Sequence, residues 1–247
     1  VHIENQQDLL SVKKHSSLAE RVLSLCFNPR HTLLSLATSI PPIYPSLSIP
    51  YPRLCHMVEV VSECSLIEDK IACWKEKVKS TTSSDVVDIQ QSRAWKSFSL
   101  RADRQLFRNE LRLTFSLYID WFNPFGNKLA GRQDSMGVVA LTCLDLPPLI
   151  RNKQQHIFSV GMIPAPKEPD MTTISHILAP LVDELLLLNT GIFIKTPQFP
   201  NGRKLSIHLG ALIGDIVATH KVAGFASHSS RLFCSWCKCE KDNLSNM

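Results

Sequence analysis

The chain has 247 residues, 44% of them hydrophobic, enough to bury a sizeable core in one or two domains. A formal net charge of +5 permits a nucleic-acid partner without requiring one, and no dense Lys/Arg block stands out. Eight cysteines are too few for a disulfide scaffold, no run of about 18 apolar residues offers a membrane span, and VHIENQQDLL lacks a signal-peptide pattern, so an intracellular chain with no membrane partner is expected.

Residues 1–95 predict a helical and proline-rich N-terminal region. Five prolines between Pro41 and Pro52 exclude a helix or a central strand and predict an extended connector. Val60, Cys64, Ile67, Ile71, Trp74 and Val78 recur at steps of four and three, the period of an amphipathic helix. STTSSDVVD, residues 80–88, reads as a linker, with a boundary near residue 95.

From there the order is more telling. LRLTFSLYID alternates strictly, with Leu111, Leu113, Phe115, Leu117 and Ile119 on one side and Arg112, Thr114, Ser116, Tyr118 and Asp120 on the other, which predicts a strand ending on Asp120. Asn123-Pro124-Phe125-Gly126-Asn127 is turn chemistry. On these residues alone, Asp120 is a metal ligand, a turn cap, or a partner of Arg112 or Lys128. Strands at 137–146 and 156–163 follow, each stopped by prolines, so the three suggest an antiparallel meander. A helix is expected from Thr172 to Asn189, with Gly191 as its stop and Pro180 kinking or dividing it. GIFIKT predicts a short extra strand, and RKLSIHLGALIGD, residues 203–215, a longer one ending on Asp215.

Meander, helix and further strand make the first part of an RNase H-like α/β fold, in which carboxylates on the first and fourth strands sit side by side. Two such acids repel unless a divalent cation lies between them, and hard oxygen ligands suit Mg²⁺ or Mn²⁺. The chemistry would be phosphoryl transfer at a DNA phosphodiester. Simple alternation, however, puts Asp215 on the face of Leu205, Ile207 and Leu209; a bulge at Gly214 would re-aim it, and a central strand is in any case apolar on both faces.

YIDWFNPFGNK, CLDLPP, GMIPAPKEP, LAPLVDELL and KVAGFASHSSRLFCSWC, in that order, resemble the catalytic region of transposases of the CACTA (En/Spm-type) DNA transposons, particularly fungal copies, over about residues 95–240. The resemblance implies a DDE-type recombinase acting on transposon-end DNA in the nucleus, with Asp120 and Asp215 as the first two catalytic acids. It also implies self-association as a partner class. The family's third acid, a glutamate, lies beyond a zinc-binding insertion, and the chain is expected to be a fragment that stops before it. Glu240, the sole Glu after Asp215, sits within a cysteine cluster and is a poor substitute. Two departures are Asp145, where the family usually carries Asn, and Ala165, where it usually has Gly.

Cys234-Ser-Trp-Cys237 has the spacing that lets one turn present two thiolates to Zn²⁺. The resemblance puts the remaining ligands, histidines, further on; Cys239 and His228 are local alternatives, and free thiols the plain one. The expected division is therefore 1–95, an incomplete RNase H-like core at 96–224, and the start of a zinc-binding insertion at 225–247. Lys128, Arg132, Lys167 and Lys221 are candidate phosphate contacts, and His208 and His220 are expected to be structural. Two functions follow: a DDE-type transposase, expected to be inactive as this fragment, or a non-catalytic transposon remnant or domesticated DNA- or protein-binding module.

Overall fold

The computed structural model describes residues 65–81, 85–97, 110–124, 135–164, 167–227, 229–235 and 240–242. The proline-rich connector, Val60, Cys64, most of the turn after Pro124, Ala165, Lys128, Arg132, His228, Cys237 and Cys239 lie outside them. The elements are α1 (Ser65–Ser80), β1 (Glu110–Phe122), β2 (Met136–Cys143), the short α2 (Pro148–Arg151), β3 (Ile157–Ile163), α3 (Met171–Thr190), β4 (Ile192–Thr196), β5 (Phe199–Ile213) and α4 (Ile216–Ala223). The mixed α/β architecture and the meander, helix and strand order agree with expectation.

The strands form one sheet in the order β3-β2-β1-β5-β4. β1 is central, antiparallel to β2 and parallel to β5, while β2 and β3, and β4 and β5, pair antiparallel. Its centrality explains why both of its faces are largely covered. Leu111, Leu113, Phe115, Leu117 and Ile119 are buried on one side, and Thr114 and Ser116 are buried on the other. Each fully buried Leu or Ile contributes about 1.5–3 kcal/mol.

Helix α3 starts at Asp170, whose side chain accepts from the Thr173 N–H at 2.7 Å, and ends at Gly191, where φ is 92°. Pro180 does not divide it, for α3 is one element from end to end. Pro180 and His176 both face solvent, so the His176 carbonyl that loses its helical donor is on the wet side. By length and apolarity α3 would pass for a membrane span, yet Ile174, Leu178, Leu181, Val182, Leu185 and Leu188 are buried in the core shared with the sheet.

That core also takes in Ile67 and Ile71 of α1. Glu68 of α1 meets Arg203 of β5 at 2.6 Å, both side chains buried, and Lys75 reaches Asp145 at 2.9 Å. Asp145 in turn accepts the Thr114 N–H at 2.6 Å, just where β2 has ended and left that amide without a strand partner. Arg151 donates to both oxygens of Asp88 and to the carbonyls of Leu144 and Leu146. These polar contacts cluster around the first half of β1. Asp120 lies six residues beyond Thr114, about 20 Å along an extended strand.

Candidate functional site

Because β1 and β5 are parallel, their carboxyl ends open on the same side of the sheet, the place where sheets of this kind hold ligands. Asp120 is there, although not at the strand's last position: β1 runs on through Trp121 and Phe122, held by pairing with Gly137 and Met136. Asp215 is not the end of β5 either. The strand stops at Ile213, and Asp215 is the N-cap of α4, with Oδ1 accepting from the Ala218 N–H at 2.6 Å. The cap wins because the first amides of α4 otherwise lack acceptors. An aspartate before an eight-residue helix-compatible run closed by Gly224, whose φ is 71°, was the sequence signal for this helix.

β5 does contain a bulge, at Gly210 rather than Gly214. Leu209 pairs with Phe115, but Ala211 pairs with Ser116, so Gly210 is the extra residue. A side chain at Gly210 would come within 2.5 Å of Thr114 Cγ2. Before the bulge the odd-numbered residues of β5 share the face of Leu113 and Phe115; after it they share the opposite face, Ile213 lying beside Tyr118. Two residues further along each chain come Asp215 and Asp120. Gly214 keeps the two segments close, since a Cβ there would be 2.4 Å from the Ile119 carbonyl oxygen.

Tyr118 contacts Asp120 directly. Its hydroxyl donates to Asp120 Oδ2 at 2.8 Å, while Asp120 Oδ1 accepts from the Trp121 N–H at 2.8 Å. That hydrogen bond, then burial, then the charges of Asp120 and Asp215 hold the Tyr118 phenol above its ordinary value. One phenol therefore feels both carboxylates. Asp215 Oδ2 makes no hydrogen bond among the described residues. A hard divalent cation takes carboxylate oxygens, with water completing its shell, and Asp120 and Asp215 are the acids that follow the paired ends of β1 and β5. Among the described residues no group of three or more His, Cys, Asp or Glu side chains is gathered as a metal site.

The other candidates have different employment. Lys221 pairs with Glu168 at 2.7 Å and lies 5.4 Å from the centre of the Trp121 ring; Lys167 is exposed. His208 is buried, with Arg112 Nη2 and Asn189 Nδ2 facing its Nδ1 at 3.4 and 3.0 Å. An arginine only donates, so Nδ1 is an acceptor and the ring is neutral. Burial, with the charges of Arg112 and Lys204, pushes its pKa down to about 3. His220 Nδ1 lies 2.7 Å from the Ala226 carbonyl, fastening the chain that leaves α4. Burial, with Asp145 alongside, pushes the Cys143 thiol up to about 12, so it is no nucleophile at neutral pH.

Cys234 is half-buried. An isolated antiparallel bridge joins Leu232 to Glu240, and the Lys241 N–H donates to the Arg231 carbonyl at 2.9 Å. Glu240 lies 3.4 Å from Arg231.

The family model described as transposase family tnp2 matches residues 85–246, more than half of the chain. No curated protein matches it.

Proposed function

The chain belongs to the transposase family tnp2, and from that premise we propose that it carries the catalytic core of a DDE-type DNA transposase of the CACTA (En/Spm) kind. The observation that carries this reading is the Gly210 bulge, which sets Ile213 level with Tyr118, so that Asp215 and Asp120 each follow two residues later at the carboxyl ends of two parallel neighbours. A meander followed by a helix and a strand parallel to β1 supports an RNase H-like core, with β4 as an added hairpin strand at its edge.

On this reading Asp120 and Asp215 hold Mg²⁺ or Mn²⁺ at the end of the sheet and the bound cation supplies Lewis-acid activation for in-line displacement at a phosphodiester. Asp215 offers Oδ2 while Oδ1 stays committed to α4, so the helix fixes which oxygen faces the ligand. Asp120 is oriented by Tyr118 and by the Trp121 amide. The nucleic-acid partner is transposon-end DNA, met in the nucleus, and self-association belongs to the same proposal. The loop holding Cys234, with Cys237 outside the described residues, is the proposed start of a Zn²⁺ site.

A second reading, a non-catalytic DNA- or protein-binding module, draws support from one observation: the pair has no third carboxylate gathered with it among the described residues. Two acids bind a second ion poorly. The 247-residue chain is therefore expected to bind Mn²⁺ and to nick supercoiled DNA weakly at most. Mn²⁺ binding read by electron paramagnetic resonance, with Asp120→Asn and Asp215→Asn as controls, tests the pair. Binding that survives either substitution sinks the assignment; strong Mn²⁺-dependent nicking abolished by Asp120→Asn would bring in a third acid and reject the non-catalytic reading.

A further inference from the structure

Within the proposed cation site, and resting on that reading, we infer that Tyr118 is a positioning residue that sets the plane of the Asp120 carboxylate and thereby the affinity of the pair for a divalent cation. The argument starts from strand geometry. Residues 118 and 120 lie on one face of β1, so a long side chain at 118 reaches along the strand to the acid at 120. The cross-strand neighbours leave it room: Tyr118 is level with Ala140 on β2, and Asp120 with Val138. The result is the 2.8 Å hydrogen bond to Oδ2, made by a half-buried ring.

An aspartate has a broad terminal torsion and turns freely unless both oxygens are engaged. Here both are, Oδ1 by the Trp121 amide and Oδ2 by the phenol. The amide is part of the backbone and follows the acid whatever residue stands at 118. The phenol is the contact that a side-chain substitution removes. Hydrogen bonds to a charged acceptor are among the stronger ones, and partners that orient metal ligands commonly alter affinity by about 10–100-fold when removed.

Tyr118→Phe keeps the ring and deletes the hydroxyl. Mn²⁺ affinity is measured for the wild type, Tyr118→Phe and Asp120→Asn, alongside thermal melting without metal. The expected result is folded Tyr118→Phe protein whose Mn²⁺ affinity is lower by about tenfold or more. A purely packing role would change melting and leave the affinity of the folded protein alone. If the wild type binds Mn²⁺, Asp120→Asn does not, and Tyr118→Phe binds as tightly as the wild type, the positioning role is overturned and the cation site stands. If the wild type shows no Mn²⁺ binding that depends on Asp120, the site reading fails and takes this inference with it. Should the Phe variant melt too low to assay, Tyr118→His, which returns a ring N–H donor, is compared with Tyr118→Leu, which returns none; equal Mn²⁺ affinities overturn the role and tighter binding by the His variant supports it.

Discussion

Arg151 grips Asp88 with two parallel hydrogen bonds of 2.8 and 3.0 Å, and both side chains are buried. The Trp74 indole N–H donates to the same carboxylate at 3.0 Å, so α1, residues 88–91 and α2 meet at one acid. Removing that acid leaves a guanidinium buried without its counter-charge. Asp88→Ala is expected to cost about 3–5 kcal/mol in urea unfolding, whereas replacing Asp88 and Arg151 together by Leu and Met should cost much less. Equal losses in the single and double variants would mean that the pair is not what holds this segment.

Asp145 separates charge from hydrogen bonding. Its Oδ2 accepts from the Thr114 amide and its Oδ1 pairs with Lys75, whose side chain is 38% exposed. Asparagine keeps an acceptor for the amide and loses only a partly solvated ion pair, so Asp145→Asn should cost about 1 kcal/mol or less. Asp145→Ala strands a buried N–H and should cost about 1–3 kcal/mol. Denaturation midpoints in the reverse order would refute this division of labour.

The strands and α3 were legible because their signals are local. Ten alternating residues make β1, and an apolar stripe ended by Gly191 makes α3. The helical repeat around Ile67 and Ile71 was visible for the same reason. What it packs against was not, since the Glu68–Arg203 contact spans most of the chain and leaves no periodic trace. Residues 80–88 look like a linker in composition, yet the last of them is the buried Asp88. Composition registers local conformational freedom; it does not register a single long-range ion pair.

His208 gives the pH dependence. Its pKa in the folded chain is about 3, against about 6.5 for an unperturbed histidine. Between those values the unfolded chain binds the proton and the folded chain does not. The stabilisation from keeping His208 neutral is complete above about pH 6.5 and is lost as pH falls toward the folded value, by up to about 1.4 kcal/mol per pH unit. Urea unfolding between about pH 7 and 4.5 should show this slope, and His208→Gln should flatten it. An unchanged slope in His208→Gln would assign the acid sensitivity to other groups.

The site was half legible. Each aspartate follows an apolar run, so both could be picked out, but the face of Asp215 depends on where one extra residue enters β5. On the sequence alone that residue is expected at Gly214, and nothing in a period-two pattern distinguishes Gly214 from Gly210. Pairing with β1 does, because Leu209 lies opposite Phe115 and Ala211 opposite Ser116, which makes Gly210 the extra residue. Tyr118 carries no signal of its own for a similar reason: on an alternating strand it reads as one more polar-face residue, and only the fold shows its hydroxyl on Asp120.

Gly214 has the other task, to let the chain past β5 lie against β1. Any side chain there starts with a Cβ 2.4 Å from the Ile119 carbonyl oxygen. A backbone atom cannot swing aside as a flexible side chain does, so Gly214→Ala must push the Asp215 segment away from Asp120. The expected cost is about 1–3 kcal/mol of stability, with Mn²⁺ affinity weakened by about tenfold or more as the carboxylates part. Asp88→Ala supplies the control: it destabilises the fold around the first half of β1, where Thr114 lies about 20 Å along the strand from Asp120, and should leave the Mn²⁺ affinity of the folded protein unchanged. If Gly214→Ala binds Mn²⁺ as the wild type does, the closeness of the two strand ends is not what brings Asp215 to Asp120.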